Sequence, residues 1–363
     1  MRYVSLSLLL LLAACSASQG GNSTGDTVEL LAGSDSQSDG PGTDSGDPRG
    51  TITPVFNQVY WTEVHEVIEN AQDSLKVVHF ELNHDSAGDE IAQLLAQAAA
   101  RGVDVQVVLD DEVESNTARV EELGAAGVAV KLDGAGRMTH TKLVVADRSR
   151  ALFGSTNWSW SSMRKNNETN VLVEDQLICG YFADYADALW NAPRTTWKQP
   201  VQVSPLGRAF GDASYVPEAM ALINGAEERV DLLLYGMNVD PDQPDSEVYK
   251  LLKAMKAAQD RGVQVRIVLD WSSYDRTMNR LNTSNAAELR KLGFNVRFET
   301  PQTISHAKLL VSEKEALIGS NNWGYGGFVK NHEIGVRTAD QGVVQAALTY
   351  FEGIWGVSLE SRR

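Results

Sequence analysis

The chain has 363 residues, 43% of them hydrophobic, and carries 48 acidic against 32 basic residues for a formal net charge of −16. That length and apolar content suffice for one large or two medium domains with real cores. The acidic balance opposes non-specific nucleic-acid binding, which needs Lys and Arg to neutralise phosphates, and it opposes broad adhesion to anionic lipid for the same reason.

The first residues stand apart from that core. Arg2 supplies a positive start, and Val4 to Ala14 form an apolar run too short to span a bilayer. The run ends in Leu12-Ala13-Ala14-Cys15, which resembles the lipobox of bacterial lipoproteins. The resemblance implies a signal peptide over residues 1–14, a lipid on Cys15 and a place in the bacterial cell envelope. Ser16 in place of Asp after the Cys implies the outer membrane, facing the periplasm or the exterior. The plainer alternative is an ordinary cleaved signal with a chance Cys. Residues 15–50 read as a flexible tether, since Ser16 to Gly50 holds 8 Gly and 7 Ser and almost no apolar clusters. Without leader and tether the chain still has 42 acidic and 30 basic residues, so a phosphate must be met by a local cationic pocket.

The remainder is a tandem repeat, expected as two domains over 51–200 and 201–363 that meet near Pro200 to Gly207. Val77 to Leu82 and Val230 to Tyr235 read as strands. Ile91, Leu94, Leu95 and Ala98 recur at helical spacing, as do Val248, Leu251, Leu252 and Met255. Arg101 to Asp110 then matches Arg261 to Asp270, both around a β-branched strand, and Gly127-Val-Ala-Val matches Gly293-Phe-Asn-Val after a further helix. Next comes a strand starting at a His-x-Lys pair, followed by a Gly-Ser turn. Trp190 and Trp355 end the closing apolar helices and read as core. Cys179 reads as a small core residue; with the Cys15 thiol taken by the implied lipid it is the only cysteine left, and no disulfide or Cys zinc site can be built from it. Strand and helix alternate throughout, which predicts an α/β fold with helices over a central sheet in each repeat.

The chemistry sits in the repeated motif. His140 and Lys142 recur as His306 and Lys308, Gly154-Ser155 and Asn157 as Gly319-Ser320 and Asn322, and Glu168 as Glu333. On a strand, residues two apart share a face, so each His and Lys are expected to project together. Two imidazoles, two ammonium groups and several neutral donors suit a phosphodiester, which needs charge neutralisation, a nucleophile and a proton donor for the departing alcohol. No His, Asp or Glu cluster shows metal-ligand spacing.

At these residues the chain resembles the phospholipase D superfamily, whose pattern is His-x-Lys, four residues, Asp, six residues, Gly-Ser and then Asn. The first copy fits throughout, with Asp147 as the Asp. The second carries Glu313 there and has one residue fewer before Gly319. The resemblance implies two tandem α/β/α sandwiches packed as one pseudo-two-fold unit with the site between them. It also implies a cofactor-free, metal-free route in two steps: His140 attacks phosphorus, and His306 protonates the departing oxygen, the sequence leaving the reverse assignment open. Lys142 and Lys308 would hold the phosphate, Glu168 and Glu333 would orient the imidazoles, and Ser155, Asn157, Ser320 and Asn322 would contact substrate. Asp147, Glu313, Gly154 and Gly319 would be structural.

Several residues carry two readings. His79 and His65 read as core or surface, and His84 and His332 lie near the site by register. Asp110, Asp111 and Asp270 either line the cleft or cap strand ends. Trp158, Trp160, Trp323, Tyr325 and Phe328 either form an apolar mouth or pack between the halves. The leading function is a lipid-anchored phospholipase D acting on phospholipid head-group esters, a monomer because one chain holds both half-sites. The alternatives are a nuclease, a cardiolipin-synthase-like phosphatidyltransferase and a non-catalytic envelope binding module.

Overall fold

The computed structural model describes residues 50–134 and 136–361. The leader, Cys15 and all of the tether but Gly50 lie outside the described residues.

β-branched runs build two sheets. The first holds β1 (Thr51–Phe56), β2 (Ser74–His79), β3 (Asp104–Leu109), β4 (Ala129–Leu132), β5 (Lys142–Ala146), β6 (Arg150–Gly154) and β7 (Thr169–Glu174) in the order β1-β7-β6-β5-β2-β3-β4. The second holds β8 (Gln202–Ser204), β9 (Gly207–Gly211), β10 (Arg229–Leu234), β11 (Gln264–Leu269), β12 (Asn295–Phe298), β13 (Lys308–Ser312), β14 (Ala316–Gly319) and β15 (Ile334–Thr338). Its order, β8-β9-β15-β14-β13-β10-β11-β12, repeats the first with β8 added at one edge. Both are mixed: β2, β3 and β4 run parallel, while β5 pairs antiparallel with β2.

Helices α1 (Val59–Glu69), α2 (Ser86–Ala100), α3 (Glu114–Ala125) and the short α4 (Trp160–Arg164) belong to the first half, which α5 (Gln176–Asn191) closes. Helices α6 (Tyr215–Gly225), α7 (Glu247–Asp260), α8 (Arg276–Lys291) and α9 (Gln341–Val357) belong to the second. Their starts are written locally: Asp85 accepts from the N–H groups of Ala87 and Gly88, and Asp175 and Asp340 cap α5 and α9 alike.

The buried face of α1 to α3 packs on one side of the first sheet, and that of α6 to α8 on one side of the second. A third apolar cluster belongs to neither half alone. It joins Val78, Val108 and Phe153 of the first sheet to Leu233, Val268 and Ile318 of the second through Phe182 and Tyr185 of α5 and Phe351 of α9. Each such fully buried side chain contributes about 1.5–3 kcal/mol of transfer free energy, so the two sandwiches hold together by core packing over a shared central layer. The expected α/β architecture and duplication are present. Cys179 is buried in this cluster. Trp190 and Trp355 differ from expectation: both are only partly buried at its edge, with Lys131 over the Trp190 ring and Arg266 and Arg297 over that of Trp355.

Candidate active site

The site begins with a departure from the simple strand picture. Strands β5 and β13 start at the lysines, so His140 and His306 sit just ahead of them. The residues before each His pair across the molecular interface instead: Thr139 bridges His332, and Ser305 bridges Asn167. The His140 N–H donates to the His332 carbonyl at 3.0 Å, and the His306 N–H to the Asn167 carbonyl at 2.9 Å. Swapping the halves converts one contact into the other, which is the pseudo-two-fold relation in hydrogen-bond form.

That interlock crosses the His–Glu pairs. His140 Nδ1 lies 3.0 Å from both carboxylate oxygens of Glu333, and His306 Nδ1 lies 3.1 Å from Glu168. Each imidazole is therefore held by the acid of the opposite half. The Ser155 hydroxyl donates to Glu168 and that of Ser320 to Glu333, and each also accepts the next strand's first N–H. These two serines act on the acids, where sequence placed them on substrate. Asn166 and Asn331 add amide donors to the same acids.

All of these groups are buried: His140, Lys142, His306, Lys308, Glu168 and Glu333 are each at most 4% exposed. Burial, and then the Lys142 and Lys308 ammonium groups, push the His140 imidazole well below its ordinary range. Burial and Lys308 depress His306 likewise, against the pull of Glu168. Burial pushes Glu333 up to about 7 against Lys142 and Ser320. Burial also works to raise Glu168, but His306 and Lys308 outweigh it and hold the carboxyl low. In each couple a carboxyl of the opposite half holds imidazole Nδ1 and leaves Nε2 free of it. His306 Nε2 has no hydrogen-bond partner in the protein.

The lysines complete a cationic centre between the halves. Lys142 Nζ donates to the His140 carbonyl at 2.7 Å and lies over the Phe80 ring; Lys308 donates to the His306 carbonyl and lies over Tyr235. Asn157 and Asn322 bring side-chain oxygens with no protein partner, and Asn322 lines a cleft of about 110 Å³ that reaches His140. Phe80, Met138, Tyr235, Met237, Trp323 and Tyr325 give that cleft an apolar wall.

Asp147 accepts three backbone N–H groups, from Gln72, Asp73 and Ser74, and Glu313 accepts the equivalent ones of Glu227 and Arg229. A Cβ on Gly154 would stand 2.3 Å from the Thr169 carbonyl oxygen, and one on Gly319 2.5 Å from that of Ile334. Only glycine lets the acid-bearing strand approach that closely.

The ambiguous residues now separate. Trp158 and Phe328 are buried packing residues, Trp323 is buried but borders the cleft, and Trp160 and Tyr325 are exposed. His79 is buried and stacks on Trp158. His65, partly buried, reaches Glu90 at 3.4 Å. His84 is exposed on the surface, and the His332 ring turns to Asp212 and the Pro193 carbonyl; neither imidazole joins the site. Asp110 and Asp270 do cap, but what they cap matters: they accept from the N–H groups of Thr139 and Ser305 at 2.6 and 2.7 Å, the residues preceding each catalytic His. Among the described residues no group of three or more His, Cys, Asp or Glu could hold a metal ion.

A duplicated α/β fold whose halves exchange acids across paired His-x-Lys motifs defines a class: the chain belongs to the phospholipase D superfamily of phosphodiester-acting enzymes. The family described as "Cardiolipin synthase, PLD-like domain" matches residues 64–190 and 219–355, one match per half. The mitochondrial cardiolipin hydrolase of Homo sapiens is 28% identical over 199 residues, 54% of this chain and 71% of that protein. Phospholipase D Y of Dictyostelium discoideum is 22% identical over 338 residues, covering 71% of this chain and 77% of its own. Among solved structures, the phosphatidylserine synthase of Haemophilus influenzae superposes with a TM-score of 0.62 at 13% identity over 86% of this chain and 88% of that one. That last likeness is one of fold.

Proposed function

We propose that the protein is a phospholipase D that hydrolyses the head-group ester of phospholipids to phosphatidic acid through a phosphohistidine. One observation carries the reading: two imidazoles, each fixed at Nδ1 by the opposite half's glutamate, share a centre with two ammonium groups. His140, which lines the cleft, uses its Nε2 lone pair to attack phosphorus as the bond to the head-group oxygen breaks. His306 Nε2 supplies the proton to that oxygen, then takes one from the water that displaces His140. The bound phosphate's charge offsets the ammonium groups that depress His306, so the acid becomes competent when substrate is present. Lys142 and Lys308 neutralise the non-bridging oxygens.

The apolar wall of the cleft supports an acyl-bearing substrate, and the net-acidic body disfavours a polyanion. A lipid on Cys15 and the tether would hold the catalytic unit at an envelope membrane. Among the described residues no helix is long and apolar enough to cross one. The test offers phosphatidylcholine, phosphatidylglycerol and single-stranded DNA side by side, with His140→Ala as control. Release of phosphatidic acid, abolished in the variant, is expected. Cleavage of DNA alone would transfer the mechanism to a nuclease, and inertness toward every diester would leave a binding module.

A further inference from the structure

The crossed site is symmetric, but its walls are not. Phe80 and Tyr235 follow equivalent strands, and the equivalence continues one residue further, since the Trp158 N–H donates to the Glu81 carbonyl and the Trp323 N–H to that of Gly236. Gly236 lines the open cleft beside His140. At the position equivalent to Gly236 the first half carries a carboxylate, Glu81. Glu81 is only 4% exposed and one of its oxygens has no hydrogen-bond partner; burial pushes its carboxyl up to about 7, and the Lys142 ammonium is the charge that pulls it back down. An unsatisfied buried carboxylate costs free energy and is retained where a ligand completes it.

We propose that Glu81 forms a leaving-group pocket on the His306 side that takes an alcohol bearing an ammonium group. This deepens the phospholipid reading and rests on it. The proton delivered by His306 goes to the departing oxygen, so the leaving alcohol lies on that side. The acyl-bearing remainder then occupies the apolar cleft beside His140. A zwitterionic head group places an ammonium a short spacer away from its phosphate anion. Lys142 and Glu81 present the complementary order, cation for the phosphate and anion for the ammonium. The second half could not do this, because Gly236 has no side chain and its neighbour on the strand is Leu234 where the first half has His79.

The experiment compares phosphatidylethanolamine with phosphatidylglycerol in identical mixed micelles, using wild type, Glu81→Gln and Glu81→Gly. The wild type is expected to favour ethanolamine. Both variants should lose about tenfold or more in kcat/KM on it while changing less than about twofold on the glycerol lipid. Thermal unfolding of each variant, together with its retained rate on the glycerol lipid, separates this from misfolding. Equal losses on the two lipids, or none on either, would overturn the pocket. If wild type releases no head group from any lipid, the phospholipid reading fails, and the pocket is read instead with glycerophosphoethanolamine against glycerophosphoglycerol. Ethanolamine selectivity that vanishes in Glu81→Gln then keeps the pocket, and its absence in wild type removes it.

Discussion

The two halves agree in the charged centre they share and differ in the walls around it. His-to-Glu, Ser-to-Glu and Asp-to-backbone contacts repeat almost atom for atom. By contrast, the loop after the first Gly-Ser turn reads Ser159-Trp-Ser-Ser162 and runs into α4, whereas the second reads Gly324-Tyr-Gly-Gly327 and runs into a single π turn, Gly326–Lys330. Small residues open the second lip, and the cleft lies there. Duplication thus fixes a symmetric charge centre, and divergence of two loops gives it a direction.

The largest effect follows from the proposed division of labour between the imidazoles. Ala at His140 or His306 should each depress turnover of a natural diester by at least about 10⁴-fold, since members of such a unit act together. A substrate with a p-nitrophenyl leaving group separates them. It needs little proton donation, so His306→Ala should still give a burst of nitrophenol and trap a phosphohistidine, while His140→Ala gives none. A burst in His140→Ala and none in His306→Ala would reverse the roles without disturbing the site.

The acids come next. Glu333→Gln and Glu168→Gln keep shape but lose the charge that orients Nδ1–H, and each should lower kcat by about 10²–10⁴-fold. Because the pairs are crossed, Glu333→Gln should shift the titration of His140, and Glu168→Gln that of His306, by NMR. Perturbation of the imidazole in the same half instead would refute the crossing.

How much of this was legible in sequence depends on the range of the interaction. The repeat, the strands and the Gly-Ser turns are local patterns and could be read directly. The crossing could not, because each Glu simply follows the His of its own half in sequence, Glu168 after His140 and Glu333 after His306, and only pairing of Thr139 with His332 and of Ser305 with Asn167 decides partnership. That pairing also displaces His140 and His306 from the strands on which alternation had placed them. Asp110 and Asp270 read as ordinary strand-end caps, since nothing local says that the N–H they hold precedes a catalytic His. The exposed aromatics Trp160 and Tyr325 and the buried Trp158 and Trp323 alternate one residue apart, so composition alone could not divide mouth from core.

Stability should expose the backbone constraints. Gly154→Ala places a methyl against the Thr169 carbonyl at a φ of 155°, and a loss of about 2–4 kcal/mol in chemical unfolding is expected. Asp110 gives a pH-dependent companion. Burial pushes its carboxyl up to about 8, above its unfolded range near 3.9, so between those values the folded state binds a proton that the unfolded chain does not. Its contribution is therefore full at low pH and declines as pH rises toward 8, at up to about 1.4 kcal/mol per pH unit. Asp110→Asn should flatten that decline, narrowing its deficit against wild type between pH 6 and 8. A deficit that stays constant over the same range would mean that the buried group is ionised.

The smallest effect concerns the departure from the family pattern at Glu313. In the first half the hairpin between β5 and β6 has three loop residues, and Asp147 and Arg148 both adopt φ of 53°, which brings a short carboxylate under three N–H groups. The second hairpin has lost a residue, keeping only Glu313 and Lys314 between Ser312 and Glu315, whose backbones bond at 2.8 Å. Neither Glu313 nor Lys314 is left-handed among the described residues. From that backbone Glu313, one methylene longer than Asp, reaches the Glu227 and Arg229 N–H groups at 2.8 and 3.1 Å. Deletion and substitution therefore compensate each other. Glu313→Asp should cost about 1 kcal/mol in unfolding free energy with kcat unchanged, whereas Glu313→Asp with one residue inserted after it should recover most of that loss. A single variant as stable as wild type would mean that Glu313 carries no weight in holding the turn.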